Sequence, residues 1–311
     1  MLSLGAWDLL RYSSAFSAAL AAGFTTYSGV KETQTLSTER VDFGLPRLGP
    51  GLDGLRVAQL SDLHFGPYTG EVEIRRAVAA VNAAAPDLIV LTGDYVTSTW
   101  LFHLGRRTGK EIVPCAELLR ELRCPLGVYA ILGNHDWGVG ANFIAGTLTD
   151  AGIRVLRNDA VPIERDRARM WLVGVDDVMF KAADLDRALS DVPRGEPVLL
   201  LAHEPDFADE AARYSIAVQL SGHAHGGQIV LPGVGAPYLP PLGRKYRRGL
   251  YTVRNMCLYS NRGLGVAGVP LRFGAPPEIA LVGFRSGAAS ASLAPAPEVA
   301  VATPDLRPAT T

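Results

Sequence analysis

The chain has 311 residues, 48% of them apolar, enough for one large domain or two small ones with a sizeable core. A formal net charge of -1 excludes the basic excess of a general nucleic-acid binder, so no nucleic-acid partner is expected. The three cysteines, Cys115, Cys124 and Cys257, are odd in number and form no Cys-x-x-Cys pair. That argues against a disulfide framework or structural zinc and for small buried side chains.

Residues 12–30 carry no charge, and their length suits a bilayer span of ~20 residues. They are rich in Ala, Ser and Thr, Leu20 is their only leucine, and Asp8 and Arg11 precede them in place of a basic n-region. Residues 1–34 are therefore read as either an N-terminal membrane anchor or a docked amphipathic helix, with a cleaved signal ending near Ala18 to Ala22 as the weaker option. The protein is accordingly expected to be membrane-associated or cytoplasmic. Residues 35–285 read as one domain. Residues 286–311 are Ala, Pro, Ser and Thr with few large apolar side chains, and are expected to be a disordered tail.

Within the domain an early strand is expected over 39–43. After the Asp53-Gly54 turn, the run 55–60 reads as a buried strand leading into Asp62 and His64. Ile74, Ala77, Val78 and Val81 have helical spacing, which predicts a helix over 71–84 that stops before Pro86. A strand over 88–91 ends at Gly93-Asp94. A helix over 115–122 and a strand over 127–132 follow, the strand ending at Gly133-Asn134-His135-Asp136. Then come a helix over 142–150, strands over 154–156, 160–163 and 170–175, and a helix over 184–189. A strand over 198–201 ends at His203, and one over 216–220 ends at Gly222-His223-Ala224-His225-Gly226. Short strands at 229–230, 250–253, 256–259 and 279–282 complete the domain. This alternation predicts an α/β fold, and the late run of strands makes part of the sheet antiparallel. Two packed mixed β-sheets flanked by helices fit the pattern.

Five of the six histidines lie in these strand-end motifs; only His103 lies outside them. In open α/β sheets ligands sit beyond the carboxyl ends of strands. Here five expected strands each end in a metal-type residue: Asp62, Asp94, Asn134, His203 and His223. Any one motif is an ordinary turn or strand end in most chains. All of them in one chain point to a dinuclear metal enzyme, because His and carboxylate are the ligands of borderline divalent metals. Gly93, Gly133, Gly222, Gly226 and Gly227 border ligand-type residues and allow backbone turns that let side chains converge where the chain reverses.

The order Asp-x-His, Gly-Asp, Gly-Asn-His-Asp, His, Gly-His-x-His over residues 55–283 resembles the calcineurin-like metallophosphoesterase superfamily. The run from Gly222 to Ile229, the proline-rich loop after it and Asn261-Arg262-Gly263-Leu264-Gly265 resemble one bacterial branch. That branch holds membrane-associated phosphodiesterases and a UDP-2,3-diacylglucosamine pyrophosphatase. The resemblance implies a four-layer sandwich and two divalent metal ions. Asp62, His64 and His225 would hold one, Asn134, His203 and His223 the second, and Asp94 would bridge them. Such a pair generates a hydroxide nucleophile and clamps phosphoryl oxygens. His135 would face the phosphoryl group, to stabilise the transition state or protonate the leaving oxygen, with Asp136 orienting its ring. The longer Gly-Asp motif with a second acid is replaced here by Tyr95-Val96-Thr97. The mixture of carboxylate, amide and imidazole favours manganese, with zinc or iron as alternatives.

Arg244, Lys245, Arg247 and Arg248 form the densest basic cluster and are expected to bind substrate phosphate, with Arg262 a further contact by resemblance. The apolar part of that loop, with Tyr238 and Leu239, is expected to meet a lipid or membrane surface, or else to be a solvated loop held by proline. Trp100 to His103 read either as an apolar wall or as core packing. The leading function is hydrolysis of a phosphodiester or pyrophosphate on a lipid-linked or nucleotide-linked substrate. A soluble nucleotide or small-diester hydrolase is the alternative, and a non-catalytic scaffold on the same fold is a third reading that the full ligand set disfavours. A zinc peptidase is excluded by the lack of a His-Glu-x-x-His helix motif.

Overall fold

The apolar runs that end in the site motifs are strands buried on both faces. In the computed structural model, which describes residues 17, 22–98 and 109–294, β2 (Leu55–Leu60), β3 (Leu88–Leu91) and β8 (Val198–Leu201) occupy the spans expected. Their period-two alternation divides each between two cores. Leu88 and Val90 face one core, and Ile89 and Leu91 the other. Leu199 and Leu201 enter the inter-sheet core, while Val198 and Leu200 face the opposite side. A strand covered on both faces has no need of polar alternation, so it reads as a continuous apolar run.

Two sheets result. The first runs β13–β1–β12–β2–β3–β4–β5, with β1 Ser37–Leu45, β4 Val128–Ala130, β5 Arg154–Val155, β12 Glu278–Ser286 and β13 Ser290–Ala294. The second runs β10–β11–β9–β8–β7–β6, with β6 Asp159–Arg165, β7 Ala168–Gly174, β9 Val218–Ser221, β10 Gly249–Val253 and β11 Met256–Ser260. Each has a parallel centre: β2, β3, β4 and β5 in one, β7, β8, β9 and β11 in the other. Antiparallel pairs flank both, such as β12 with β2 and β6 with β7. Helices α1 (Glu71–Ala84), α2 (Ile112–Leu119) and α3 (Asn134–Asp150) cover the first sheet, and α4 (Leu185–Leu189) and α5 (Ala208–Ala211) the second. The protein is thus an α/β sandwich of two mixed sheets with flanking helices. Sheet-end loops of both halves meet at one end, where the site lies.

Three sequence expectations change, and one alternative left open at the N-terminus is described. Helix α3 begins at Asn134, eight residues before the apolar periodicity at 142 suggests, because Gly138 and Gly140 dilute the pattern; Gly140 is non-helical (φ 137°) and kinks it. Residues 229–230 form no strand, only a single bridge from Ile229 to Phe273. The tail expected from 286 does not begin there: Ser290–Ala294 pairs antiparallel with β1 as an edge strand. The N-terminal segment, as far as it is described, is a helix over 22–32 docked on residues 271–275. Phe24 and Tyr27 pack on Phe273, and the Glu32 carboxylate accepts from Ala275 N–H. Among the described residues, no helix is long and apolar enough to cross a membrane.

Candidate metal centre

Five of the seven expected ligands stand on strained backbone. Asp62, His64, Asp94, His223 and His225 all have positive φ, between 45° and 67°. Asp and His tolerate the left-handed region better than most residues, yet such a cluster marks a functional site. The reversal at each strand end turns the side chain back across the sheet edge. At Gly222 the need is space: a Cβ there would stand 1.9 Å from Ser61 Oγ and 2.2 Å from Asp62 Oδ2.

The side chains then converge on one buried volume. His64 Nε2 and His225 Nε2 face each other at 3.0 Å, and His225 Nε2 lies 3.4 Å from Asp62 Oδ1. Asp94 Oδ2 stands 3.6 Å from His64 Nε2 and 3.2 Å from His203 Nε2, central to both sets. On the second side, His223 Nδ1 meets Asn134 Oδ1 at 2.9 Å. Asp62, His64 and His225 form one group able to hold a cation, and Asp94, His203 and His223 another.

The outer ring nitrogens show which atoms are free to ligate. His203 Nδ1–H donates to Thr92 O (2.7 Å) and His223 Nε2–H to Pro241 O (2.8 Å). This turns His203 Nε2 and His223 Nδ1 inward, as the atoms that can ligate. His203 Nε2 is fully buried with no hydrogen-bond partner. Burial, reinforced by His135, pulls the His64 imidazole well below its ordinary pKa; burial and then Arg272 do the same to His225, keeping both neutral as metal binding requires. Burial opposes charge on Asp94, but His203 and His135 outweigh it and hold its carboxyl well below the ordinary range. Burial opposes charge on His203 too, but Asp94 outweighs it and raises that imidazole well above its ordinary pKa, so His203 must give up a proton to ligate. The donor set of carboxylate oxygen, amide oxygen and imidazole fits two divalent cations.

His135 and Asp136 are placed differently from one another. His135 lines the cavity beside the cluster, its Nε2 4.0 Å from Asp94 Oδ2. Asp136 does not orient that ring. Its carboxylate is fully buried and accepts from the backbone N–H groups of Gly133 (2.9 Å), Asp94 (2.8 Å) and Tyr95 (2.9 Å). At the third position of α3 it reaches back over the helix N-terminus, as an acid there does. The His135 ring is held instead by Ser98, whose N–H and Oγ lie 2.8 and 2.7 Å from Nδ1.

A cavity of about 730 Å³ opens on the cluster, walled by Met179, Ile229, Tyr238, Pro240, Pro241 and Val269. The basic residues expected to bind phosphate are not in this wall. Lys245 is bonded to Asp209 at 2.7 Å, and Arg244 Nε faces Leu239 O. Arg248 and Arg262 border a separate cavity, where Arg262 pairs with Glu39 (2.6 Å) and Glu278 (2.8 Å). Arg247 adjoins Gly227 and is likewise outside the wall. Carboxylates already satisfy Lys245 and Arg262, so charge density in the sequence does not report which way the charges face. Residues 100–103 lie outside the described residues.

Reading motifs also missed Arg272. It is fully buried and donates to the carbonyls of Arg262, Gly263, Gly265 and Ala275, with its guanidinium 3.4 Å from His225 Nδ1. The loop it ties closes on the ligands, since Leu264 and Gly265 N–H donate to Ser61 O and Asp62 O. A single Arg between Leu271 and Phe273 was its only trace in the sequence.

The fold and this cluster define a metal-dependent hydrolase, and comparison with known proteins agrees. The profile of the calcineurin-like phosphoesterase family matches residues 55–227, and the chain belongs to that family, whose members use divalent metals and act on phosphoesters. It is 34% identical over 278 residues to YkuE, an uncharacterized metallophosphoesterase of Bacillus subtilis, covering 86% of this chain and 94% of that one. It is 32% identical over 231 residues to the phosphodiesterase YaeI of Escherichia coli (73% and 81% covered). It is 27% identical over 315 residues to LpxG, a UDP-2,3-diacylglucosamine pyrophosphatase of Chlamydia trachomatis (81% and 90% covered).

Proposed function

We propose that the protein is a dinuclear-metal phosphodiesterase or pyrophosphatase acting on a lipid-linked substrate. The observation that carries this reading is the apolar cavity of about 730 Å³ opening on the ligand cluster. A site for small soluble phosphates has little use for a wall of Met, Ile, Tyr, Val and Pro, whereas acyl chains bury against one. Val234 and Tyr238, on the loop beside that cavity, are 76% and 73% exposed, which supports an approach to a membrane surface. The pyrophosphatase activity of the relative LpxG supports a nucleotide-linked lipid.

Asp62, His64 and His225 would hold one cation, Asn134, His203 and His223 the other, with Asp94 between them. Bound there, two divalent ions, manganese favoured on the donor set over zinc or iron, would activate water and polarise the phosphoryl group. Asp62 accepts from His223 N–H with both oxygens (3.0 and 3.1 Å), which fixes two ligands against each other. Thr92 and Pro241 carbonyls aim His203 and His223. His135 projects into the cavity and donates to the phosphoryl oxygens.

The test uses protein purified without metal. It is assayed on bis-p-nitrophenyl phosphate and p-nitrophenyl phosphate with manganese, zinc, iron or none, then on a UDP-linked acylated glucosamine. Metal-dependent cleavage favouring the diester, with release of UMP and a lipid phosphate, is the expected result. Turnover of soluble diesters with none of any lipid substrate would sink the lipid reading.

A further inference from the structure

We propose that the separate cavity bordered by Arg248 and Arg262, of about 930 Å³, is a second ligand site that takes a phosphate anion carried on an apolar group, with Lys31 and Arg248 as its anion-binding side chains. The site goes beyond the hydrolase reading and stands whether or not the chain cleaves phosphoesters.

The two cavities share a wall and face apart. Ile229 lines the one at the metal cluster, and Val230 the other. Arg262 borders the second cavity, while Gly263 lies against Asp62, where a Cβ would stand 2.5 Å from the Asp62 Cβ. The rest of the wall comes from places far apart in sequence. Tyr27, Lys31 and Glu32 belong to the N-terminal helix and Glu39 to β1, and Arg248 stands just before β10.

Lys31, Arg248 and Arg262 face Glu32, Glu39 and Glu278 in this wall, so the formal charges balance, but the pairing does not. The acids are occupied. Arg262 takes Glu39 at 2.6 Å and Glu278 at 2.8 Å, and the Tyr259 hydroxyl donates to Glu278 as well. Glu32 accepts from Ala275 N–H at 2.8 Å. Two cations are left over. Arg248 donates to the Gly274 carbonyl at 2.7 Å, and among the described residues neither its guanidinium nor the Lys31 ammonium pairs with a carboxylate. Both are gathered at one turn: Arg248 bonds Gly274, and Glu32, next to Lys31, bonds Ala275. Burial, then the nearby Arg247 and Arg262, hold the Arg248 guanidinium below its ordinary pKa range, so like charge is crowded there. An anion relieves that crowding, and guanidinium with ammonium is the donor set that phosphate takes.

Size and lining give the rest of the ligand. Small-molecule sites span ~300–1,000 Å³, so a cavity of about 930 Å³ is far larger than a bare phosphate needs. Tyr27, Val230, Leu250, Phe273 and Leu293 line the remainder, which suits an apolar body. Lys31 is also the first charge after the uncharged residues 12–30. A cation at the end of such a stretch stands where lipid phosphates are met, which favours a lipid over a soluble phosphate as the source.

Calorimetric titration of the metal-free, full-length protein tests the site without any contribution from bound cations. The probes are dihexanoyl phosphatidic acid below its micelle concentration, glycerol phosphate, which lacks the acyl chains, and dihexanoylglycerol, which lacks the phosphate. Saturable binding of one phosphatidic acid per chain is expected. Lys31→Gln and Arg248→Gln should each weaken it by about tenfold, the weight of one charge-assisted hydrogen bond. Lys31→Gln removes no bond within the fold, so its Tm should match wild type and its affinity reads the site alone. Glycerol phosphate binding within tenfold of phosphatidic acid would uphold the anion site and make its source a soluble phosphate; much weaker binding upholds the lipid. Dihexanoylglycerol binding as tightly as phosphatidic acid would overturn the anion-binding role. Affinity unchanged in both variants would overturn the proposal outright and leave the lipid in the cavity at the metal cluster.

Discussion

Replacing Asp94 by asparagine tests the centre where its two halves join. Asp94 Oδ2 faces His203 at 3.2 Å and His64 at 3.6 Å, while Oδ1 accepts from His135 N–H. Asparagine matches the shape and can keep the bond to His135, so the change isolates charge. The proposed ligands carry two carboxylates, Asp62 and Asp94; the variant takes their charge from -2 to -1 while two dications still contribute +4. A unit pair 4 Å apart is worth about 4 kcal/mol at an effective dielectric of 20, so about 8 kcal/mol for a dication. If half of this is offset by relief of carboxylate desolvation, ~4 kcal/mol per cation remains, on the order of 10³ in affinity. Metal content after dialysis, by mass spectrometry, should fall from two ions to one or none, and titration should show the weakened site. The metal-free variant should unfold within a few degrees of metal-free wild type, because no packing is lost. Two ions bound at wild-type affinity would refute the bridging role and the charge argument with it.

Four further outcomes follow from the same geometry. His135→Ala should keep both metals and lower kcat by ~10²–10³, the usual weight of a transition-state donor, and loss of a metal would show that His135 is a ligand. Asp136→Asn should destabilise the fold by ~2–4 kcal/mol in denaturant titration, because one amide oxygen cannot serve three buried N–H groups; a change under ~0.5 kcal/mol would contradict its capping role. Asp177→Asn should flatten the pH dependence of stability. Burial, then neighbouring Glu204, push the Asp177 carboxyl up to about 8, so the native state holds a proton that the unfolded chain has lost, and stability falls as pH rises from ~4 to about 8. The variant should gain most at pH 8 and nothing near pH 4, and a parallel offset at all pH values would exclude Asp177 as the source. Finally, chelation should lower Tm, by an amount that grows with the logarithm of metal affinity, with readdition restoring it, as binding to the native state alone demands.

Much of this architecture was legible because burial on both faces leaves a strong trace. Strands β2, β3 and β8 and helix α1 lie where apolar runs or helical spacing place them. What escaped was structure made by backbone pairing rather than by side-chain pattern. Strand β13, Ser-Ala-Ser-Leu-Ala, has only Ala291 and Leu293 on its apolar face, too short an alternation to announce it; it exists because β1 offers an open edge, and its pairing from Arg40–Ala294 to Gly44–Ser290 supplies the hydrogen bonds. Helix α3 was half-missed for a related reason: its first turn is set by Asp136 reaching back over Gly133, not by periodicity. At the site the same division holds. Which residues gather was readable from strand-end motifs, since a strand end fixes position. Which atom each residue offers was not, since that depends on a partner far off in sequence. Ser98 turns His135, Thr92 and Pro241 turn His203 and His223, and Glu39 and Glu278 take Arg262 out of the cavity's service.

The strained backbone joins these two observations. Positive φ at Asp62, His64, Asp94, His223 and His225 costs of order 1–3 kcal/mol where a residue is poorly suited to it, and gathers buried carboxylates and imidazoles whose desolvation must be offset. The restoring contacts are local and backbone-directed: Asp136 on three N–H groups, Asp62 on His223 N–H, Arg272 on four carbonyls. These hold the chain reversals whether or not metal is present, so the ligands should be arranged before a cation arrives. Hydrogen exchange decides this. Amides of Leu264, Gly265 and His223 should be protected in the metal-free protein and gain further protection with metal. Exchange at unprotected rates without metal would mean that the cation, rather than this backbone network, builds the site.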